Sequence, residues 1–161
     1  GKYLITPVNG PFVQPASQEV DLKSNAMATA NFTVTPYVSF SGVNIAKYGS
    51  GDSVSVTFTL HKNVLNSTID GYRIFATDQT PLVGINFSET KYSEVHYWED
   101  GAEKVTGSDF LALTEVDLDK PITATLKGYI SGKTYWIRIG ARCKESPAGR
   151  VNLTEVVELK F

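Results

Sequence analysis

Apolar and polar residues alternate with a period of two along much of this chain, which is the pattern of half-buried strands. The clearest run covers residues 53–60, where Val54, Val56, Phe58 and Leu60 alternate with serine and threonine. No segment shows a convincing helical period. The chain is therefore predicted to be all-β.

Turn residues divide the other alternating stretches into strands. The predicted strands, lettered in chain order, are A at 39–47, B at 53–60, C at 71–77, E around 122–126, F at 133–142 and G at 153–161. On strand C the alternation directs Tyr72, Ile74 and Ala76 inward, and it directs Arg73 and Phe75 outward.

A tight turn precedes strand F and predicts how this strand is held. Gly132 permits the turn, and Tyr135 stands at the start of the strand. A tyrosine placed there buries its ring and returns its hydroxyl to backbone a few residues upstream, the arrangement called a tyrosine corner. Tyr135 is therefore expected to be buried, with its hydroxyl near the backbone just upstream of Gly132.

This corner resembles that of fibronectin type III modules, although Tyr129 stands where those modules usually have leucine. The resemblance implies an immunoglobulin/fibronectin type III-like β-sandwich over residues 37–161, with a long insert at about 78–120. Within the insert, Val95-His-Tyr-Trp98 is predicted to be a strand followed by a turn at 99–101. Residues 107–119 could form a short helix or an extra strand.

Residues 1–36 resemble the last strands of small transthyretin-like domains, also called carboxypeptidase-regulatory-like domains. Gly1, Tyr3, Ile5 and Asn31-Phe-Thr-Val34 carry this match. The segment is expected to be the C-terminal part of such a domain, outside the sandwich core. The first strands of that domain are missing, and an isolated pair of strands is only marginally stable. Disorder or intermolecular strand pairing through residues 1–36 is therefore predicted.

Both halves in this order resemble an uncharacterised family of two-domain lipoproteins from polysaccharide-degrading gut bacteria. The match rests on Gly10-Pro-Phe-Val13, Phe32-Thr-Val-Thr-Pro-Tyr37 and residues 131–142. The resemblance implies an exported protein on the outer membrane at the cell surface, encoded beside glycan importers. The chain is interpreted as a processed or engineered piece of something longer, and the lipid-bearing cysteine of the family would lie upstream of Gly1.

Charge and the positions of histidine, acidic and cysteine residues limit the ligands that the chain is expected to bind. A net charge of −2 over 161 residues argues against nucleic acid, which requires a basic face. His61 and His96 are far apart and have no metal-ligand spacing. Acidic residues near 99–103 and 117–119 are interpreted as solvated turns rather than a Ca²⁺ site, and Cys143 as an incidental thiol. No catalytic residue, metal or cofactor is predicted.

An outward aromatic stripe is the strongest candidate site. Because strands C and F are neighbours in a fibronectin-type sheet, Phe75 and Arg73 should emerge beside Trp136 and Arg138. A strand through Val95-His-Tyr-Trp98 could lie next to C and add His96 with Trp98, or Tyr97, to this face. The face is interpreted as a second core covered by the chain itself, a protein interface, or a surface for stacking sugar rings.

The predicted function is a non-catalytic cell-surface module of a polysaccharide-utilisation system that binds a glycan or a partner outer-membrane protein. One alternative is an accessory domain of glycoside hydrolases or, with less support, a catalyst among them, for which two nearby carboxylates in a cleft would be required. A second alternative is a structural spacer.

Overall fold

The computed structural model describes residues 1–24, 26–49, 51–84, 95–99, 102–105 and 110–161, with only the backbone of 95–99 and 102–105. Its strands are β1 (Lys2–Ile5), β2 (Phe12–Val13), β3 (Gln18–Asp21), β4 (Thr35–Pro36), β5 (Val38–Tyr48), β6 (Ser53–Lys62), β7 (Ile69–Thr77), β8 (Val95–Glu99), β9 (Ala102–Val105), β10 (Leu111–Ala112), β11 (Pro121–Lys127), β12 (Thr134–Cys143), β13 (Asn152–Leu153) and β14 (Val157–Lys160). Helical structure in the described part is limited to 3-10 turns at Glu115–Asp117 and Pro147–Gly149.

Two five-stranded antiparallel sheets form the sandwich. The first sheet has the order β5-β6-β11-β8-β9, and the second has β10-β7-β12 followed by β13 and β14. Predicted strands A, B and E therefore share the first sheet, while C, F and G share the second. This division is that of immunoglobulin-type sandwiches, in which a further strand beside E completes the first sheet. Here β8 takes that place, and the all-β sandwich prediction is confirmed.

The core lies between the sheets and is built from the inward positions of the alternating strands. On β6 the side chains of Val54, Val56, Phe58 and Leu60 are all 0% exposed. On β7 the predicted inward residues Tyr72, Ile74 and Ala76 belong to the same core cluster. Burial of these aliphatic and aromatic side chains supplies the main driving force for folding.

The tyrosine corner is formed as predicted. Tyr135 is fully buried, and its hydroxyl accepts a hydrogen bond from the backbone N–H of Ile130 at 3.0 Å. Tyr129 packs edge-on against Tyr135, with ring centroids 4.6 Å apart, and stacks on Phe161 at 5.0 Å. Tyrosine in place of leucine at position 129 thus extends the corner into a cluster of three rings that also holds the end of the chain.

Residues 1–36 form two ribbons that join neither five-stranded sheet. β1 pairs with β3, and β2 pairs with β4. The backbone N–H of Tyr37 donates to Pro11 at 3.1 Å, which connects the second ribbon to the start of the sandwich. The pairing seen here is within one chain. The transthyretin-like origin of these strands and their pairing with another molecule stay predictions.

The insert contains strands and a short helical turn. The predicted strand at Val95-His-Tyr-Trp98 is confirmed as β8, which forms a hairpin with β9. The segment 107–119 holds the short strand β10 and the 3-10 turn Glu115–Asp117. The turn predicted at 99–101 falls largely on residues outside the described part.

Candidate functional site

The structure brings four of the seven predicted site residues together on the outer face of the second sheet. In the antiparallel register of β7 and β12, Arg138 lies opposite Phe75, Trp136 opposite Thr77, and Arg73 opposite Gly140. Strands C and F are therefore neighbours, as expected.

His96, Tyr97 and Trp98 lie elsewhere, and their predicted placement beside strand C is wrong. They belong to β8, which pairs with β11 of the first sheet, with His96 opposite Thr125. The position beside β7 is taken by β10, whose Leu111 pairs with Tyr72. The β8–β9 hairpin of the insert thus extends the edge of the first sheet, and β10 extends the edge of the second. The alternation of apolar and polar residues does not specify which edge a strand joins.

Phe75 faces outward but is 0% exposed, so its predicted role as an exposed aromatic is wrong. A Cβ atom on Gly140 would lie 2.7 Å from the Phe75 ring, 2.6 Å from Val151 and 3.0 Å from Leu153. The ring, Val151 and Leu153 therefore converge over Gly140, whose missing side chain makes room for them. This part of the face is a second, smaller core, one of the three interpretations of the sequence.

Arg138 holds two segments beside this smaller core, one at Val83 and one at Thr154, through hydrogen bonds. Its Nε and Nη2 donate to the Thr154 carbonyl at 3.0 and 2.7 Å, and its Nη1 donates to the Val83 carbonyl at 3.3 Å. Burial lowers the pKa of Arg138 from its usual value, and Glu155 opposes that shift. With its donors directed at backbone carbonyls, Arg138 acts as a structural clamp rather than a rim contact for a ligand.

The clamp coincides with a bulge that splits predicted strand G into β13 and β14. Ile137 pairs with Val157 and Gly140 with Leu153, so strand G has one more residue than β12 between these pairs. The Thr154 hydroxyl accepts a hydrogen bond from the Ile139 N–H at 3.0 Å, where a regular ladder would use a carbonyl. A buried N–H is thereby satisfied at the irregularity.

Among the predicted aromatic residues whose side chains the structure describes, Trp136 is the one that is only partly buried. Its indole Nε1 donates to Oε2 of Glu158 at 3.3 Å, and Glu158 lies opposite it on β14. Arg73, also partly buried, lies over the Phe75 ring at 4.9 Å. Glu158 was not among the predicted residues, although its outward position between Val157 and Leu159 on strand G indicates the same face.

A groove at the open edge of the sandwich was also not anticipated. It has a volume of about 540 Å³ and lies between β5 and the β13–β14 strand. Its lining residues are Pro36, Val38, Ser39, Phe40, Val43, Asn152, Leu153, Thr154, Glu155 and Val157. The lining is mainly apolar with a few polar groups, the usual character of a binding groove.

The surroundings of Asp117 and Cys143 indicate structural roles for both side chains. Asp117 accepts hydrogen bonds from the N–H and hydroxyl of Thr114, which lower the pKa of its carboxyl group. Cys143 is buried, and burial raises the pKa of its thiol. Among the residues whose side chains are described, no group of three or more histidine, cysteine, aspartate or glutamate side chains could hold a metal ion.

Three solved structures similar to this chain come from species of Bacteroides and Parabacteroides. A DUF3823 family protein from Bacteroides ovatus has a TM-score of 0.66 and 21% identity, over 99% of this chain and 75% of that one. A Bacteroides uniformis protein described as a "putative carbohydrate binding protein" has a TM-score of 0.67 and 20% identity, over 99% and 73%. A DUF3823 family protein from Parabacteroides merdae gives 0.62 and 17%, over 99% and 71%.

At these identities the likeness establishes the fold. No protein-family model and no curated protein matches the sequence. The names of these three structures denote no enzymatic activity. In the described part of the chain, no helix has the length and apolar character needed to cross a membrane.

Proposed function

We propose that this chain is a carbohydrate-binding module in which Trp136 provides the platform for a sugar ring. The observation that carries the proposal is the partly buried indole of Trp136, which donates a hydrogen bond to Glu158 on the outer face of the second sheet. The likeness in fold to a Bacteroides uniformis protein described as carbohydrate binding supports the same class of ligand.

The chemistry of this position suits a sugar. One side of a pyranose ring presents C–H groups and packs against an aromatic face, while its hydroxyl groups require hydrogen-bond partners. Glu158 offers acceptor oxygens next to the indole, and the neighbouring Lys160 nitrogen lies 3.6 Å from one of them. The side chain of Glu158 orients the indole through its hydrogen bond, so the platform is partly preorganised before a ligand arrives.

The wider setting that we propose is the outer surface of a gut bacterium, with the full-length protein anchored by lipid beside a polysaccharide-uptake system. The resemblance to the two-domain lipoprotein family supports this setting. The alternative ligand is a partner protein of the outer membrane, because tryptophan and arginine are enriched at protein interfaces. The edge groove favours this second candidate, since it exposes an apolar lining at two strand edges.

A glycan array with the 161-residue chain, followed by calorimetry on the best glycan, tests the proposal. We expect Trp136→Ala to weaken binding at least about tenfold, which corresponds to loss of one stacking contact of about 1.4 kcal/mol. The matched control is Tyr48→Ala, because Tyr48 is an aromatic residue 61% exposed on β5 in the other sheet.

Equal affinity of the Trp136→Ala variant and the parent chain for a glycan that the parent binds would remove Trp136 from the site. The partner-protein alternative would be favoured if the chain binds no glycan on the array but binds a protein from outer-membrane extracts of a Bacteroides species. Circular dichroism establishes that each variant remains folded.

A further inference from the structure

The outer face of the first sheet carries a chain of two hydrogen bonds through His61. The hydroxyl of Ser41 lies 2.6 Å from Nε2 of His61, and Oδ1 of Asp119 lies 2.5 Å from its Nδ1. These three residues stand on β5, on β6 and in the turn before β11. They are 20 and 58 positions apart in sequence, so the fold alone brings them together.

Local structure fixes this arrangement from both sides. In the β5–β6 register Ser39 lies opposite His61, and Ser41 lies opposite Thr59 on the same face of the sheet. Asp119 adopts a left-handed backbone conformation, with φ of 58°, and its N–H donates to the Leu60 carbonyl at 3.0 Å. The carboxylate is thereby held beside the residue that follows Leu60.

The order of partners is that of an activated serine nucleophile. A carboxylate that accepts the Nδ1 proton of an imidazole leaves Nε2 free to accept a proton from a hydroxyl group. In this chain Asp119 faces Nδ1 and Ser41 faces Nε2, so each member stands on the nitrogen that the chemistry requires.

We propose that Ser41, His61 and Asp119 form a site that hydrolyses acyl esters. Oγ of Ser41 attacks the ester carbonyl carbon while its proton passes to Nε2 of His61. The tetrahedral intermediate then expels the alcohol, which takes that proton, and leaves an acyl group on Ser41. Water attacks this acyl-serine with proton transfer to His61, the carboxylic acid leaves, and Ser41 recovers its proton. The net reaction converts ester and water into acid and alcohol.

The backbone beside Ser41 provides space for the carbonyl group. The register of β5 and β6 shifts between Ser41 and Asn44, so a bulge begins directly after the nucleophile. A bulge places backbone N–H groups outside the regular ladder, and such groups stabilise an oxyanion when they stand next to the reacting carbon. Gly42 has φ of 58°, and a Cβ atom on it would meet no heavy atom within 4 Å.

The exposure of the site defines the substrate class. His61 and Asp119 side chains are 36% and 73% exposed, so the three residues lie on an open sheet face and not in an acyl-binding cavity. Such a face reaches short acyl groups, such as acetyl, that project from a larger alcohol. These three residues lie on the opposite sheet from Trp136, and an ester hydrolase differs from the non-catalytic module expected from the sequence.

The test uses the intact 161-residue chain with a fluorophosphonate probe and with p-nitrophenyl acetate. We expect one phosphonyl adduct on the peptide that contains Ser41, measured by mass spectrometry. We also expect Ser41→Ala and His61→Gln to lower ester hydrolysis at least about 100-fold, the usual scale for a positioned general base. Asp119→Asn should have a smaller effect, because its carboxylate is well exposed to solvent.

The matched control is Ser39→Ala. Ser39 lies on the same face of the same strand, but its hydroxyl donates to Asn63 at 3.1 Å instead of contacting His61. Labelling of Ser41 together with an unchanged rate for Ser39→Ala supports the proposal. An unlabelled chain, equal labelling of Ser39 and Ser41, or a hydrolysis rate that Ser41→Ala leaves unchanged would overturn it. Because labelling is measured on the parent chain, it decides the question even if a variant fails to fold.

Discussion

Strands β6 and β1 are both rich in apolar residues but have opposite surroundings. The four apolar side chains of β6 that face inward are 0% exposed, whereas Tyr3 and Leu4 on β1 are 55% and 74% exposed. The difference arises because β6 lies in a sheet with a second sheet packed on it, while β1 pairs, among the described strands, with β3 alone. Burial of an apolar strand therefore requires a second layer.

The largest expected effect comes from truncating the sandwich core. Phe58 is fully buried and makes edge-on contacts with Tyr72 and Phe40, at centroid distances of 5.1 and 6.0 Å. Phe58→Ala should lower the free energy of unfolding by about 3–5 kcal/mol, measured by urea denaturation. A loss below about 1 kcal/mol would mean that the core is less tightly packed than the structure indicates.

Alkaline pH should weaken the sandwich through Tyr72 by about 2–3 kcal/mol. Burial raises the pKa of Tyr72 from 10.0 to about 12. As pH rises from 10 to 12, the unfolded chain loses this proton first, so the contribution is complete below pH 10 and declines through that window. The measurement is the difference in unfolding free energy between the parent chain and Tyr72→Phe at several pH values. A difference that is constant with pH would contradict the assignment to Tyr72.

Removing the corner hydrogen bond should have a smaller effect. Tyr135→Phe deletes the hydroxyl that accepts the Ile130 N–H and should cost about 1–2 kcal/mol of stability, measured by thermal unfolding. Tyr48→Phe is the control, since Tyr48 is largely exposed. Equal unfolding temperatures for the two variants would show that this hydroxyl does not hold the corner.

The smallest effect is expected on the ribbon. Leu4→Ser should change the free energy of unfolding by no more than about 0.5 kcal/mol, because Leu4 is 74% exposed. Analytical ultracentrifugation of the parent and the variant completes the comparison. Destabilisation above about 1 kcal/mol, or loss of an oligomer present in the parent, would show that another layer covers β1 in solution.

The sequence predicted those features that depend on local pattern. The strands of the sandwich, their inward faces and the corner at Tyr135 follow from alternation and turn residues within a few positions of each other. The burial of Phe75 did not follow, because it depends on Gly140 and on distant segments that cover the ring. The pairing of β8 with β11 was not predicted for a similar reason. β8 could have paired with either β11 or β7, and the local sequence pattern does not distinguish these two strands.

The candidate sites show the same limit. Trp136 was found because its outward direction follows from strand F, and Glu158 could have been found in the same way. The contact between Ser41, His61 and Asp119 could not, because it depends on the β5–β6 register and on a left-handed turn before β11. No spacing within the sequence links these three residues.

The order of strands in the first sheet also has a consequence during synthesis. β6 ends at Lys62, but its second neighbour β11 begins at Pro121, about 60 residues later. At a synthesis rate of about 5–20 residues per second, this edge of β6 stays without its neighbour for about 3–12 s. During this interval the unpaired edge of β6 is open to pairing with a strand of another chain.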